Sequence, residues 1–519
     1  MSAAYKHTST EAIDPFASSR RMFDSMLQSA SSAAAIASGH ADVEAAIVAQ
    51  GQGLLKQLYQ DHLDLRHAHE RRVDVVDETG ARRTERRVAT RTLRSRLGDV
   101  TVTRFLYQAA GHEGRAPADA VLRLSEDGFS MGVRREVARL CASDAFAPAV
   151  ETLERLTGVH VAQRQAEELA RRAANDVCQF YSELQPEPEA DEGLLVLSFD
   201  AAGIVMRRES LRAATRKKAE NEPSEAKFPP KLKSGKKPNR KRMAQVGAVY
   251  TVAPFVRTAD DIVGELESLT PSLDDRTRPM RPRPVNKRLY ASIARSPADV
   301  IADGFRDALA RDPERRRRWV VLLDGNADQL QAVLREARRI GVGITVVADL
   351  IHLIEYLWPA AYCFHAAGSD EAREWVVARV RALLEGADPI QVAAGMRRSA
   401  TRRDIYPRSA VDRCAEYMHT LAPYMRYGQA LRDGLPIATG VIEGACRHLV
   451  RRRLDIGGAR WSTEGAEAIL LLRAVVLSGE FDDYWAFHES QVFHRTHAAK
   501  YRGAVPNPLT PRPVLRRVK

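Results

Sequence analysis

Residues 319–326 read WVVLLDGN, and this stretch decides how the rest of the chain is interpreted. Its apolar run is too short for a helix and predicts a buried parallel strand. The strand ends at Asp324, and functional groups of open α/β sheets sit where strands end at their carboxyl edge. Asp324 therefore either contributes to a site or caps the helix that starts near Ala327. Asn326 is expected to be a capping residue.

Two more apolar runs end in an aspartate. Leu194–Asp200 is followed closely by Gly203, and Gly343–Asp349 leads directly into a helical stretch, Leu350–Trp358. A further carboxylate, Glu443, lies near the start of a helix that follows a long, mainly helical segment. Because several carboxylates recur in this pattern, the site interpretation of Asp324 is preferred over the capping one.

Asp200, Asp324 and Glu443 are predicted to converge and to bind two Mg²⁺ or Mn²⁺ ions. Carboxylate oxygens are the hard ligands that these ions prefer. Two ions about 4 Å apart activate a hydroxyl nucleophile and stabilise the leaving oxygen in phosphoryl displacement. Because like-charged carboxylates repel one another, a bound metal explains why they would cluster.

The composition is ordinary for a globular protein but basic. Of 519 residues, Lys and Arg number 79 against 67 Asp and Glu, which gives a formal net charge of +12. This excess favours a polyanionic partner, although an unremarkable basic protein has the same balance. The five cysteines are scattered, so neither a zinc ribbon nor a disulfide framework is expected. No signal peptide is predicted, and no run approaches the ~18 apolar residues of a membrane span.

The order of elements predicts an α/β protein. A ribonuclease-H-like catalytic core with an all-helical insertion has the same order of elements. It begins with a strand that ends in Asp, a basic loop and further strands, and continues with a second strand that ends in Asp, a helix and another strand. The helical insertion and a helix that carries Glu follow. A mixed α+β N-terminal region with a helix-turn-helix-like segment precedes the core. The predicted boundaries are a flexible N-terminus at 1–40, a DNA-binding region at 41–185, core residues 193–358, the insertion at 359–435, the last part of the core at 436–497 and a flexible tail at 498–519.

Two regions are candidates for contact with DNA. Residues 153–172 read as a helix, a turn at Gly158 and a basic second helix, which fits a helix-turn-helix and an ordinary helical hairpin equally well. A basic loop between two predicted strands is expected to hold phosphates, although a charge run is usually only solvated. The cations concerned are Lys236, Lys237, Arg240, Lys241 and Arg242 of the loop, with Arg447 and Arg451, which are predicted to share one helix face with Glu443 at i, i+4 and i+8.

Six stretches together carry a resemblance to a known family. Residues from about 97 to about 497 resemble the DDE transposases of the ISKra group of bacterial insertion sequences, relatives of the Mutator-like superfamily. The stretches are Ser198–Gly203, Asn239–Met243, Val320–Asn326, Asp349–Trp358, Thr439–Arg447 and Gly458–Trp461.

The resemblance implies that Asp200, Asp324 and Glu443 are a catalytic triad. It also implies that Asp349 and His352 match the D-x-x-H signature of Mutator-like enzymes. On physical grounds alone Asp349 could be only an N-cap and His352 only a packing residue.

Trp461 would, by the same resemblance, lie close to the Glu443 helix and stack on an unpaired base near the transposon end, with core packing as the alternative. Two departures stand out. Gln108–His112 holds no cysteine where some relatives carry a C-x-x-C element, so zinc is not expected. Ala201-Ala202 stands where relatives often have a glycine and a lysine, which affects backbone approach to the metals.

The predicted function is that of an insertion-sequence transposase in the bacterial cytoplasm, associated with the nucleoid. It would bind terminal inverted repeats, cut a strand and join the freed 3′-hydroxyl to target DNA, as a homodimer or higher oligomer because two ends must meet. Two alternatives are a ribonuclease-H-like nuclease without strand transfer and a catalytically inactive DNA-binding protein derived from a transposase. The N-terminal region favours transposition over a plain nuclease, and the three carboxylates argue against the inactive protein.

Overall fold

A computed structural model describes residues 14–184, 188, 193–220, 240–267 and 281–509. The chain forms two compact units, residues 1–176 with 482–519, and residues 177–481. Helices and mixed sheet occur together, so the predicted mixture of α and β structure is confirmed. Across the described ranges, no helix has the length and apolar character needed to span a membrane.

The bounds of the elements follow the chain. The described strands are β1 (Glu85–Ser95), β2 (Gly98–Ala109), β3 (His112–Arg115), β4 (Leu194–Val205), β5 (Lys241–Val252), β6 (Val285–Ser292), β7 (Trp319–Leu323) and β8 (Ile344–Ala348). The described α-helices are α1 (Ala17–Ala30), α2 (Ala33–Ala37), α3 (His40–Ala68), α4 (Pro117–Val121), α5 (Met131–Ser143), α6 (Phe146–Thr157), α7 (Gln163–Ala173), α8 (Val177–Glu183), α9 (Ala213–Glu220), α10 (Ala259–Glu267), α11 (Pro297–Arg311), α12 (Ala327–Ile340), α13 (Leu350–Ala361), α14 (Asp370–Glu385), α15 (Pro389–Arg402), α16 (Ser409–Leu421), α17 (Tyr427–Arg432), α18 (Gly440–Ala445), α19 (Arg452–Leu454), α20 (Thr463–Leu477) and α21 (Phe481–Thr496).

The first unit contains the antiparallel sheet β1–β2–β3. Leu63 of α3 packs against Leu93, Val100 and Val102 of this sheet and anchors the end of the long helix. The structure has α1 and α2 inside the segment 1–40, which the sequence predicted to be flexible. Residues from Asp482 onward also belong to this unit, whereas the sequence assigned residues up to 497 to the core.

The segment predicted to resemble a helix-turn-helix consists of α6 and α7. Gly158 ends α6 with a φ of 68°, a left-handed conformation that glycine adopts without steric cost. On α7, Arg172 forms ion pairs with Glu168 at 3.0 Å and with Asp127 at 3.5 Å. Both the helix-turn-helix and the helical-hairpin interpretations fit these elements.

The second unit is built on a five-stranded sheet in the order β6–β5–β4–β7–β8. Strands β4, β7 and β8 run parallel, and β5 is antiparallel to both β4 and β6. All five residues of β7 are buried, because this strand lies inside the sheet. The parallel strands therefore bring their carboxyl ends to one edge, where polar side chains can meet.

The second unit's first strand, β4, is longer than predicted. The sequence ended this strand at Asp200, but β4 continues to Val205 because it pairs with β5 along its whole length, from Leu194 opposite Val252 to Val205 opposite Lys241. Asp200 therefore marks the end of pairing with β7 and not the end of the strand.

Helices α14–α17 fill the predicted insertion at 359–435, and no strand interrupts this fully described range. Two of these helices, α14 and α15, start at a capping side chain. Ser369 caps α14 by accepting a hydrogen bond from the backbone N–H of Ala372, and Asp388 caps α15 by accepting one from Ile390. The insertion thus returns the chain to the sheet edge, where α18 begins.

Candidate active site

Asp200 and Asp324 lie side by side at the carboxyl edge of the sheet. Phe199 of β4 pairs with Leu323 of β7 in the last register position that these parallel strands share. The next residue on each strand is the aspartate, and both side chains are partly exposed. The two carboxylates that the sequence predicted to converge are therefore brought together by strand register.

The surroundings of the Asp200 carboxyl group disfavour its ionised form. Burial raises the pKa of Asp200, and the negative charge of Asp324 raises it further. Three groups oppose the effect: the backbone N–H of Ala201, which donates to Asp200 Oδ1 at 2.6 Å, the Cys446 thiol, whose Sγ lies 3.3 Å from Asp200 Oδ2, and the positive charge of Arg451. Because the ionised pair is only partly compensated by the chain, a cation at this position would stabilise it.

Asp324 does not cap the helix that follows it. Its Oδ1 accepts a hydrogen bond from the backbone N–H of Asn326 at 3.0 Å. Asn326 is the cap of α12, since its Oδ1 accepts from Asp328 at 3.0 Å and from Gln329 at 3.2 Å. The capping interpretation of Asp324 is therefore wrong, and the one of Asn326 is confirmed.

Close packing fixes the backbone at Asp324. The neighbouring Gly325 has a φ of 99°, and a Cβ there would lie 2.5 Å from Leu421 Cδ1, so only glycine fits. The Tyr417 hydroxyl donates to the Asp324 carbonyl oxygen at 3.0 Å. Tyr417 in turn stacks on Tyr356 with ring centroids 4.5 Å apart. The helical insertion thus positions Asp324 through α16.

His352 is part of the same aromatic cluster. Its ring meets Tyr356 and Tyr417 edge-on, at centroid distances of 5.4 and 5.7 Å. Its Nδ1 lies 3.3 Å from a carboxylate oxygen of Glu355. These are packing and ion-pair contacts. A catalytic part for His352 stays a prediction.

Asp349 is buried at the end of β8 and makes a structural junction. It caps α13 by accepting a hydrogen bond from Ile351 at 2.9 Å, and it also accepts a short hydrogen bond from the Thr439 hydroxyl. Burial raises the pKa of Asp349 even though these donors favour its ionised form. The carboxyl group of Asp349 therefore ties the strand edge to the start of the Glu443 helix.

Glu443 lies on α18, shortly before Cys446. Its side chain is exposed in the first turn of α18. Within the described residues, no group of three or more His, Cys, Asp or Glu side chains is arranged to hold a metal ion. The structure thus brings Asp200 and Asp324 together, and the part of Glu443 in this site stays a prediction.

The helix after Glu443 departs from the predicted periodicity. Residues Cys446–Arg451 form a π-helix, so i→i+5 hydrogen bonds replace the i→i+4 pattern. The prediction that Glu443, Arg447 and Arg451 share one face assumed a continuous α-helix; all three residues are exposed, and their common role stays a prediction. Arg447 and Arg451 are both exposed, and the charge of Arg451 acts on Asp200.

The basic loop is described only at its end. Lys236 and Lys237 lie outside the described residues, and Arg240 is exposed. Lys241 Nζ lies 3.2 Å from Asp455, and Arg242 donates to the Thr463 hydroxyl at 3.4 Å. The last two cations therefore have partners within the chain.

Trp461 is buried, with 7% of its surface exposed. Its indole N–H donates to the Leu454 carbonyl at 3.0 Å, and the Arg453 guanidinium lies 5.1 Å from the ring centroid. Its backbone also pairs with Val205 and Arg207 at the end of β4. These contacts agree with the core-packing alternative, and base stacking stays a prediction.

Three residues of the site were not predicted: Cys446, Thr439 and Tyr417. Cys446 follows Glu443 by three residues and could have been found as a neighbour on the same helix face. Thr439 directly precedes α18, where a polar residue is common. Nothing in the sequence points to Tyr417, because only the folding of the long insertion brings it to Asp324.

The donor set fits a hard divalent cation at the Asp pair. Both residues offer carboxylate oxygens, and the raised pKa of Asp200 marks a site that lacks compensating charge. The sequence matches no protein-family model, and no curated protein is significantly similar to it. The functional argument therefore rests on the residues themselves.

Proposed function

We propose that this chain is a DNA transposase that cleaves and joins DNA strands by metal-dependent phosphoryl transfer, on a ribonuclease-H-like core in the second unit. One observation carries the proposal. Asp200 and Asp324 follow the last paired residues of two adjacent parallel strands, close enough that one charge raises the pKa of the other carboxyl. Carboxylates arranged in this way are suited to Mg²⁺ or Mn²⁺.

The roles of the residues follow from their positions. Asp200 and Asp324 would hold the metal, with Tyr417 fixing the backbone of Asp324. A divalent cation bound there supplies positive charge that activates a water or hydroxyl nucleophile and stabilises the leaving oxygen. Arg451, exposed and electrostatically coupled to Asp200, would contact a DNA phosphate beside the reacting one.

Glu443 would complete the metal site. It stands one turn before Cys446, whose thiol already contacts Asp200. The π-helix that starts at Cys446 is a feature often found at functional sites, and π-helical turns are rare elsewhere. Binding of DNA and metal would favour the conformation in which Glu443 joins the pair.

The charge of the first unit supports a DNA partner. Strand β1 and the residue stretch before it carry three exposed arginines, Arg82, Arg86 and Arg87. Among the described residues, no acidic group lies within ion-pair distance of these three, whereas Arg91 and Arg96 have the acidic partners Asp119 and Glu136. An uncompensated basic strand is suited to phosphate contacts.

The test is cleavage and strand transfer in vitro by the full chain. The substrate is a duplex carrying the DNA that flanks the coding sequence, with Mg²⁺ or Mn²⁺. Wild type is expected to produce strands whose 3′-ends are joined to a second duplex. Asp324→Asn is expected to lose at least about 100-fold in rate, the scale on which a lost electrostatic contact to a transition state acts.

The matched control is Asp328→Asn, which removes an exposed carboxylate four residues away in the first turn of α12. It should react at the wild-type rate. If Asp324→Asn also joins ends at the wild-type rate, the assignment of the Asp pair is wrong.

The same assay separates the two alternatives. Cleavage without joining would identify a nuclease that does not transfer strands. An inactive DNA-binding protein would bind the duplex and leave it intact with either ion.

A further inference from the structure

The first unit carries an apolar surface that the described residues of the chain leave exposed. In the described part of the chain, large apolar side chains that are exposed cluster in α1, α2 and α3, whereas the others are scattered singly. Clusters of this kind on a protein surface mark interaction sites. The members are Met22, Phe23, Leu27, Ile36, Ile47, Val48, Leu55 and Leu58, with exposed fractions from 38% to 78%.

Helices α1 and α3 form an antiparallel hairpin. At one end, the Ser19 hydroxyl donates to Asp61 Oδ2 at 2.6 Å. At the other, the Gln50 amide donates to the Ser29 hydroxyl at 3.1 Å. The α3 residues before Gln50 therefore extend beyond the end of α1.

Helix α3 is anchored at one end only. Near its C-terminal end, Gln60 exchanges hydrogen bonds with the backbone of Thr101 on β2, at 3.0 and 2.8 Å. From Glu44 to Ala49 the side chains are exposed on every side of the helix. An isolated helix that carries Ile47 and Val48 into water has no packing to stabilise it, so this half of α3 needs a partner.

The exposed apolar residues of α3 form one stripe. Ile47, Leu55 and Leu58 follow the helical spacing i, i+8 and i+11, with Gly51 between them at i+4. A Cβ at Gly51 would have no atom of the described residues within 4 Å. A glycine inside a helix costs about 1 kcal/mol relative to alanine, and here its benefit is to let a second helix approach closely.

Two features of the hairpin fit a second copy of the same chain. The first is charge. Arg21 lies near the start of α1, at the opposite end of the hairpin from Glu44. An antiparallel two-fold arrangement would therefore place Arg21 of each copy beside Glu44 of the other copy. The second is size. With 14 and 29 residues, the two helices are about 21 and 44 Å long, and at a width of about 10 Å they offer on the order of 650 Å² per copy. That is near the lower limit of specific interfaces, about 600 Å² per partner.

We propose that α1 and α3 form the surface through which two copies of this chain associate, as an antiparallel arrangement of four helices. The interface would be isologous, with the apolar stripe of α3 at its centre and the Arg21–Glu44 contacts at its two ends. The proposal does not depend on the phosphoryl-transfer chemistry, since the association is measured without DNA or metal.

The test is the mass of the full chain in solution, measured by sedimentation velocity over a range of concentrations. Wild type is expected at twice 57.7 kDa in the micromolar range. Leu55→Glu combined with Leu58→Glu should raise the dissociation constant at least 100-fold and give the single-chain mass, with an unchanged circular dichroism spectrum. Leu156→Glu, an equally drastic change at a 62% exposed position on α6, should remain dimeric.

A charge swap provides a second test that leaves the apolar residues in place. Glu44→Lys alone should weaken association several-fold, and adding Arg21→Glu should restore it. A wild-type chain that is monomeric at all concentrations would overturn the proposal and leave the surface to an unlike partner. So would a Leu55/Leu58 double variant that dimerises as tightly as wild type.

Discussion

Two carboxylates, one in each unit, differ in how well neighbouring groups stabilise their negative charge. Burial would raise the pKa of Asp176, but hydrogen bonds and positive charge from His488 and Arg495 outweigh it and lower the pKa to about 2. Burial also raises the pKa of Asp200, and the charge of Asp324 raises it further, while Arg451 and the hydrogen bonds to Asp200 oppose the rise only in part. The first carboxylate is neutralised by its own chain, and the second is only partly compensated.

The difference distinguishes a structural from a functional carboxylate. Both terminal nitrogens of the Arg495 guanidinium, Nη1 and Nη2, donate to Asp176, at 2.6 and 2.9 Å, and His488 Nδ1 lies 2.7 Å from the same carboxylate. Such a closed network stabilises the fold and leaves nothing for a ligand. A buried carboxyl group whose pKa is raised by burial and by a neighbouring carboxylate destabilises the fold when it is ionised, and sites of this kind are candidates for binding and catalysis.

The largest effect should come from opening the closed network. Asp176→Ala leaves His488 buried without its carboxylate, and the free energy of unfolding of the first unit should fall by about 3–5 kcal/mol. The contribution of Asp176 is present above the ordinary Asp value of 3.8 and is lost as pH falls towards about 2. Denaturant unfolding at several pH values measures it.

The control for that change lies on α21, the helix that carries the partners His488 and Arg495. Asp482 of α21 is 72% exposed and pairs with Arg135 at 2.6 Å. Its replacement by alanine should cost less than about 1 kcal/mol, as is usual for a surface ion pair. Equal losses for both variants would mean that the network around Asp176 has no special importance.

The second effect tests whether the Asp pair lacks a cation. Mg²⁺ or Mn²⁺ at ten times its dissociation constant should stabilise the wild-type second unit by about 1.4 kcal/mol. The double variant Asp200→Asn, Asp324→Asn should show no such shift in thermal unfolding, while Asp328→Asn retains it. A shift of the same size in the double variant would show that the ion binds elsewhere.

The third effect runs opposite to the first. Asp200→Asn removes a charge that the fold tolerates poorly, so in the absence of divalent ions it should raise the free energy of unfolding at pH 7 by about 0.5–2 kcal/mol. Because the pKa of Asp200 is raised in the folded state, its carboxyl group does not destabilise the wild-type protein below the ordinary Asp pKa of 3.8. The loss of stability develops as pH rises through the raised folded-state pKa. Denaturant unfolding at pH 3.5 and pH 7 should therefore give a difference only at pH 7, and a difference of equal size at both would contradict this reasoning.

The smallest effect concerns the positioning of Asp324. Tyr417→Phe removes the hydrogen bond to the Asp324 carbonyl and should cost about 0.5–1.5 kcal/mol in stability. Tyr356→Phe keeps the stacked ring pair and leaves that hydrogen bond in place, so it is the matched control. If the two variants have the same free energy of unfolding, the Tyr417 hydroxyl does not stabilise the backbone at Asp324.

Local pattern was sufficient where neighbouring residues decide the structure. The buried strand β7 ends at Leu323, as the apolar run predicts, and α12 begins after the cap Asn326. Pattern failed where a distant segment decides. Strand β4 passes Asp200 because β5 pairs with it, and the helix after Glu443 changes to π geometry at Cys446. Neither event leaves a periodic signal in the sequence.

The sequence by itself determined which carboxylates could form a site, because apolar runs that end in Asp are a local property of the chain. Only the tertiary structure decided which of them meet. Strand register places Asp200 beside Asp324. Asp349 accepts a hydrogen bond from the Thr439 hydroxyl and has a structural role, and Glu443 is exposed. The reason is physical: the burial and charge that act on a carboxyl group come from residues hundreds of positions away, such as Cys446 beside Asp200.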